Sequence, residues 1–306
     1  MNIVEEIIDK APVANGQPEK KRHPPAREIA FDRPRDFLTN RFVYAVLSPR
    51  ARGLTLGVNV NPDKRCNFDC VYCEVDRTAP PGHAALDVGV MASELHRTLA
   101  HVQQGRLREH PQYQSLPDEL LQLRHVALSG DGEPTLSPQF ADVVQAVVHI
   151  RALGGFPFFK IVLLTNGTGL DRSQVQESLK RFTKSDEIWV KLDGGTQEYL
   201  DKVCRLKDVT LGKILSNILH LARQRPVVIQ SLFPAINGEE PSAEEILQFA
   251  HRLKELKSDG AQISLVQIYS ANRPMSHNEC GHLPLKTLSQ IAQVVRQVSG
   301  LKAEVF

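Results

Sequence analysis

Residues 160–195 read KIVLLTNGTGLDRSQVQESLKRFTKSDEIWVKLDGG. Residues 160–165 are a short run of aliphatic and β-branched residues, broken by Asn166-Gly167. Val175, Leu179 and Phe182 then recur on one helical face. Residues 188–192 form a second apolar run, closed by Asp193-Gly194-Gly195. A continuous apolar run suits a strand buried on both faces, and strand, helix, strand in that order is a parallel crossover unit.

The same alternation extends both ways. Further strands are expected at 54–60, 125–129, 227–232 and 263–268. Between and after the six, apolar residues recur with helical period: Met91, Leu95, Leu99 and Val102; Phe140, Val143, Val144 and Val147; Ile214, Leu215 and Ile218. Ile246, Phe249, Leu253 and Leu256, then Leu288, Ile291, Val295 and Val298, continue the pattern. Ser137-Pro138 and the pair Ser242 and Glu245 are helix-start signals, the latter a capping box. Six parallel βα units make an α/β fold, a partial (β/α)6 barrel that is open or incomplete. Its ligands belong at the carboxyl ends of the strands, where the loops are held by a rigid sheet.

Residues 1–53 are read as a basic, Pro/Arg-rich N-terminal extension and residues 54–306 as the barrel. Between positions 20 and 52 there are nine Lys or Arg against three Asp or Glu, interleaved with Phe31, Phe37, Phe42 and Tyr44. The net charge of +2 is too small to argue for nucleic acid by itself, so that argument rests on this patch. With 42% hydrophobic and 24% charged residues, the chain is not a disordered one. No apolar run approaches the roughly 18 residues a membrane span needs, and Glu5, Glu6 and Asp9 do not suit a signal peptide. A cytoplasmic protein with no membrane partner is expected.

Of five cysteines, three fall in Cys66-Asn67-Phe68-Asp69-Cys70-Val71-Tyr72-Cys73, after the first expected strand. Three thiolates on one tight loop suit three corners of a [4Fe-4S] cluster, leaving the fourth iron open to chelate a small molecule. The alternative is a structural zinc site, for which His83 would have to serve as the fourth ligand. Cys204 and Cys280 are too few to complete a second four-cysteine cluster.

The Cys-x3-Cys-x2-Cys run, with Tyr72 before its last cysteine, resembles the defining motif of the radical S-adenosylmethionine (SAM) superfamily. Ser129-Gly130-Asp131-Gly132-Glu133-Pro134 resembles that family's Gly-Gly-Glu segment, with Asp131 where many members have glycine. Leu164-Thr165-Asn166-Gly167 and Lys191-Leu192-Asp193-Gly194-Gly195 match positions that line the cofactor. Gly57-Val58-Asn59-Val60, the Gly-Asp-Gly-Glu-Pro run and Gln267-Ile268-Tyr269 look most like the branch of wybutosine-type tRNA-modifying enzymes and related Fe-S oxidoreductases.

The resemblance implies a [4Fe-4S] cluster on Cys66, Cys70 and Cys73. It also implies SAM near Tyr72, Gly130, Gly132, Glu133, Asn166, Lys191 and Asp193, with Gln230, Gln267 and Tyr269 over the open site. A reducing partner such as flavodoxin or ferredoxin is implied too. Two substrate classes follow: an RNA base, from the branch and the basic extension, or a sugar-like small molecule or peptide to be epimerised or rearranged. For the second, Cys204 is the candidate hydrogen-atom donor. A non-catalytic Fe-S or zinc protein is the remaining alternative.

Overall fold

The structure is a computed structural model, and it describes residues 37–78, 80, 81, 83, 85–271 and 277–306. The first part of the basic extension, residues 1–36, lies outside the described residues. An eight-stranded sheet has the order β1-β2-β3-β4-β5-β6-β8-β10. Its members are β1 (Val43–Ser48), β2 (Gly53–Asn59), β3 (Leu123–Ser129), β4 (Lys160–Thr165), β5 (Glu187–Lys191), β6 (Val227–Leu232), β8 (Ile263–Tyr269) and β10 (Ala303–Val305). All neighbours pair in parallel except β1, which runs antiparallel to β2 with Val43 opposite Val58 and Ser48 opposite Gly53. A separate two-stranded ribbon joins β7 (Ala235–Ile236) to β9 (Cys280–Gly281).

All six expected parallel strands are present, each within two residues of its expected ends. The helices between them are α1 (Val88–Gln103), α2 (Asp118–Leu121), α3 (Phe140–Ala152), α4 (Ser173–Leu179), α5 (Gln197–Cys204), α6 (Leu211–Ala222), α7 (Ala243–Ser258) and α8 (Leu285–Ser299). The strand β1 was hidden inside the segment read as an extension. It is fixed by the Glu94 carboxylate of α1, which accepts from the backbone N–H of Arg41 at 2.8 Å and of Phe42 at 2.9 Å.

Successive residues of a strand point to opposite faces, so the two faces have different compositions. Ile161, Leu163, Ile188, Val190, Ile229, Val266 and Ile268 face the helices and belong to the main core. Val162, Trp189 and Val228, offset by one residue, form a separate buried cluster, with Leu164 and Leu265 packed against it. That second cluster fills the concave side of the sheet. The sheet curls far enough for the turn after β1 to meet the opposite edge: Arg52 reaches Glu304 of β10 at 3.2 Å, and the Arg50 guanidinium lies 4.2 Å from the centre of the Tyr269 ring. The result is a partial barrel with an apolar floor.

Beneath that floor, the Asp186 carboxylate is pinned by Arg151 of α3 at 2.5 Å and by the backbone N–H of Ile161 at 2.8 Å. At the other end, the capping box forms by halves. Ser242 Oγ accepts from Glu245 N at 3.1 Å, but the Glu245 carboxylate accepts from Gly195 N and Thr196 Oγ1, tying α7 to the loop after β5.

Candidate functional site

The cysteine loop leaves β2 at the carboxyl end of the sheet and is held along its length by neighbouring strand-end loops. Val60 N donates to Ser129 O at 2.8 Å, and Asp69 N and Val71 N donate to the carbonyls of Cys204 and Val203 at 3.0 and 2.9 Å. Lys207 N donates to Asn67 O at 3.2 Å, while Asn67 Nδ2 reaches Thr168 Oγ1 at 3.0 Å. Phe68 and Val71 are buried beneath the loop as its apolar anchors.

Two glycines allow the next loop to come this close. A Cβ on Gly132 would stand 1.8 Å from Arg65 O, and one on Gly130, at φ +138°, would stand 2.2 Å from Asn59 Oδ1. Both contacts are impossible for any other residue, and the closeness lets Glu133 N bond Arg65 O at 3.0 Å. Asp131 is no intruder there: its carboxylate accepts from Asn59 Nδ2 at 2.6 Å.

Cys66, Cys70, Tyr72 and Cys73 line a cavity of about 300 Å³, together with Ser129, Gly130, Asp131, Gly132, Glu133, Asn166, Lys191, Gln230 and Tyr269. Most of the residues expected at the site thus open onto one space. Burial pushes the Cys66 thiol up to about 12 and raises Cys73 as well. Cys70 is held below its ordinary value by the neighbouring Cys204 thiol, which is itself raised.

Two of these lining residues are occupied in holding the wall together. The Glu133 carboxylate lines the cavity but is already filled by protein donors: Thr135 N at 3.1 Å, Thr135 Oγ1 and Thr165 Oγ1 at 2.5 Å, and Asn166 N at 2.6 Å. Four donors saturate a carboxylate, and burial pushes it up toward the neutral form. Asn166 is held in turn by Asn67 and Thr168, so these residues knit the loops after β2, β3 and β4 together.

Asp193 lies below the cavity and does not line it. Its carboxylate accepts from Leu232 N at 2.8 Å, from the Tyr72 hydroxyl and from the Cys204 thiol at 3.5 Å. Cys204 is fully buried at the same place, with Tyr72 Oη 3.9 Å away. Gln267 also sits a layer deeper, its Oε1 accepting from Gln230 Nε2 at 2.8 Å. Cys280 lies on the separate ribbon, pushed up to about 11 by burial. His83 packs its ring against Phe42, with centroids 5.4 Å apart.

Lys191 points into the cavity between two aromatic rings. Its Nζ is 3.2 Å from Tyr269 Oη, 3.4 Å from Asp193 Oδ1 and 4.8 Å from the centre of the Tyr72 ring. Burial, the largest single influence, would depress the ammonium, but Asp193 together with Tyr269, Cys70 and Cys204 outweighs it and holds Lys191 above the usual lysine range. Two arginines that the sequence reading passed over also line the cavity. Arg77 reaches Cys73 Sγ at 3.7 Å and Asp131 O at 3.2 Å; Arg50 stacks on Tyr269. Neither belongs to a motif, and Arg50 arrives from the segment read as an extension.

Three thiols of one loop thus open onto one cavity, with an arginine beside one of them. A family model described as the radical SAM superfamily matches residues 60–254. The chain belongs to the radical SAM superfamily.

It is therefore a radical SAM enzyme, with a [4Fe-4S] cluster and SAM as its cofactors. A UPF0026 protein of Helicobacter pylori is 27% identical over 240 residues, covering 76% of this chain and 67% of that protein. A UPF0026 protein of Synechocystis is 30% identical over 181 residues, 58% of this chain and 57% of that one. Among solved structures, Streptococcus suis SuiB bound to S-adenosylmethionine superposes with a TM-score of 0.54 at 14% identity, over 80% of this chain and 49% of SuiB. TYW1 with a lysine-pyruvate adduct bound gives 0.52 at 17% identity, over 82% of this chain and 75% of that one. The match thus spans roughly half to three quarters of the length of these proteins. Among the described residues, no helix is long and apolar enough to cross a membrane.

Proposed function

We propose that Cys66, Cys70 and Cys73 hold the cluster and that SAM occupies the cavity they edge. The observation that carries this reading is the convergence of all three thiols with the carboxyl ends of β3, β4, β5, β6 and β8 on one cavity. When bound, the cluster and SAM supply reductive cleavage of SAM to methionine and a 5′-deoxyadenosyl radical that takes a hydrogen atom from the substrate.

The chain's own residues bind, orient and shield. Gly130 and Gly132 let the backbone approach the cofactor, Tyr72 and Gln230 face it from two sides, and Lys191 offers its ammonium to a carboxylate. Glu133 and Asn166 fix the loops that present those groups, and Asp193 fixes Tyr72. Residues 54–306 carry the chemistry. The basic segment up to residue 53, whose last part is built into the sheet as β1, meets an RNA substrate, and the reaction is modification of an RNA base. The clustered Lys and Arg and the branch resemblance support that substrate class. The enzyme works in the cytoplasm with a flavodoxin- or ferredoxin-like donor.

Anaerobic reconstitution of the purified chain, followed by reduction with SAM present, tests the core of the reading. Wild type should bind iron and sulfide and release 5′-deoxyadenosine, whereas Cys66→Ala, Cys70→Ala and Cys73→Ala should each lose both. Unchanged iron content in all three variants would overturn it.

A further inference from the structure

The cavity is lined by three cationic side chains, and two of them have ion-pair or hydrogen-bond partners on the protein. Lys191 faces Asp193 at 3.4 Å, and Arg77 donates to Asp131 O at 3.2 Å and to Cys73 Sγ at 3.7 Å. Arg50 differs. Among the described residues its guanidinium has no carboxylate or carbonyl acceptor; its Nε is buried without a hydrogen-bond partner, as that of Arg77 is, but the other nitrogens of Arg77 do have partners. What it does have is the Tyr269 ring at 4.2 Å.

A buried guanidinium N–H with nothing to donate to is costly unless something supplies an acceptor. Stacking uses only the face of the planar group. The N–H fork lies in the plane, at the edges, and remains free for the bidentate geometry that carboxylate and phosphate oxygens satisfy. Tyr269 also holds Lys191, whose Nζ is 3.2 Å from its hydroxyl and 5.5 Å from its ring centre, so a second positive charge stands nearby. The side-chain carboxylates lining this space are those of Glu74, Asp131 and Glu133. Glu133 is saturated by four donors, Asp131 is bound by Asn59 and Glu74 is engaged elsewhere, and none of the three is paired with Arg50.

We propose that Arg50, stacked on Tyr269, is the recognition point for an oxyanion, carboxylate or phosphate, carried by the substrate that shares the cavity with SAM. Its position suits this. Arg50 comes from the turn between β1 and β2, which the curled sheet brings against β8 and β10. The inference rests on reading the cavity as the SAM site, and SAM itself carries a carboxylate, so the test must separate the two sources.

The anaerobically reconstituted protein, unreduced so that SAM stays intact, is titrated calorimetrically with phosphate and with malonate, in the presence and absence of SAM. SAM affinity is measured in parallel, and thermal melts check that each variant is folded. Wild type should bind either anion alongside SAM. Arg50→Gln should weaken anion binding about tenfold or more while leaving the SAM dissociation constant nearly unchanged, and Arg50→Lys should lose less. Anion binding that is absent in wild type, or equal in Arg50→Gln, overturns the proposal. Loss of SAM affinity in Arg50→Gln overturns it as well, because Arg50 would then hold SAM's own carboxylate. If wild type fails to bind SAM yet binds anion in an Arg50-dependent way, the reading of the cavity falls and the oxyanion site stands.

Discussion

The inner face of the barrel is apolar at one end and polar at the other, although the same strands build both. On β5, Trp189 lies in the floor and Lys191, two residues on, projects into the cavity; on β6 the same step leads from Val228 to Gln230. Direction is therefore set by strand parity, and chemistry by height along the strand. The floor excludes water from below, while the mouth gathers cationic and amide groups that face a ligand. The two regions should respond differently to substitution: changes at the floor should be read in stability, and changes at the mouth in what binds.

The largest effect on stability is expected at the support beneath the floor. Asp186 is fully buried, and although burial alone would raise its carboxyl, Arg151 and the N–H groups of Ile161 and Thr183 hold it below the usual carboxylate range. Arg151→Met strands that charge and should cost about 3–5 kcal/mol in urea unfolding. The contribution of a depressed carboxylate is present above its unfolded value and is lost as pH falls through its folded value, so the gap between variant and wild type should shrink in acid. Iron content of the refolded variant should match wild type. If cluster loading fell while stability held, floor and mouth would not be separable.

A smaller, pH-dependent effect belongs to His125, which packs edge-on against Trp189 in the floor with ring centres 5.5 Å apart. Burial holds its imidazole down at about 4, against an ordinary value of 6.5. The unfolded chain takes the proton first, so stability should fall as pH drops from about 6.5 toward 4, by about 3 kcal/mol at most. His125→Leu should flatten that part of the profile. An unchanged slope would show that the imidazole is not desolvated and that the floor admits water.

The same distinction explains what could be read in the sequence. Strands such as Lys160–Thr165 announced themselves because both faces are buried, and the cysteine loop because its spacing is chemistry in itself. The strand Val43–Ser48 is just as rich in β-formers, but its flanking Pro and Arg residues read as an extension. Which member of a motif touches the cavity and which holds another in place was not legible. Glu133, Asp193 and Cys204 carry hydrogen bonds from residues between 32 and 132 positions away, contacts that only the curled sheet creates. Arg50 and Arg77 have no motif at all; their place follows from a turn meeting the far edge of the sheet and from a loop folding back on the third cysteine.

The smallest expected effect tests the boundary itself. Gln230 and Gln267 face inward on neighbouring strands, each 2% exposed, and their amides meet at 2.8 Å between the floor and the mouth. Gln230 also lines the cavity, whereas Gln267 does not. Gln267→Leu removes the acceptor of the Gln230 amide and leaves a buried donor unpaired, which should cost about 1–3 kcal/mol in urea unfolding. Replacing both by Leu removes the orphan, extends the apolar floor by one layer and should return most of that stability. SAM affinity should take the other course: little changed in the single variant, where Gln230 still faces the cavity, and weakened in the double variant, where no amide remains. Calorimetric titration of SAM beside the unfolding curves separates the two outcomes. If the double variant regained stability and still bound SAM like wild type, Gln230 would belong to the floor, and the boundary would lie one layer higher, at Leu232 and Tyr269.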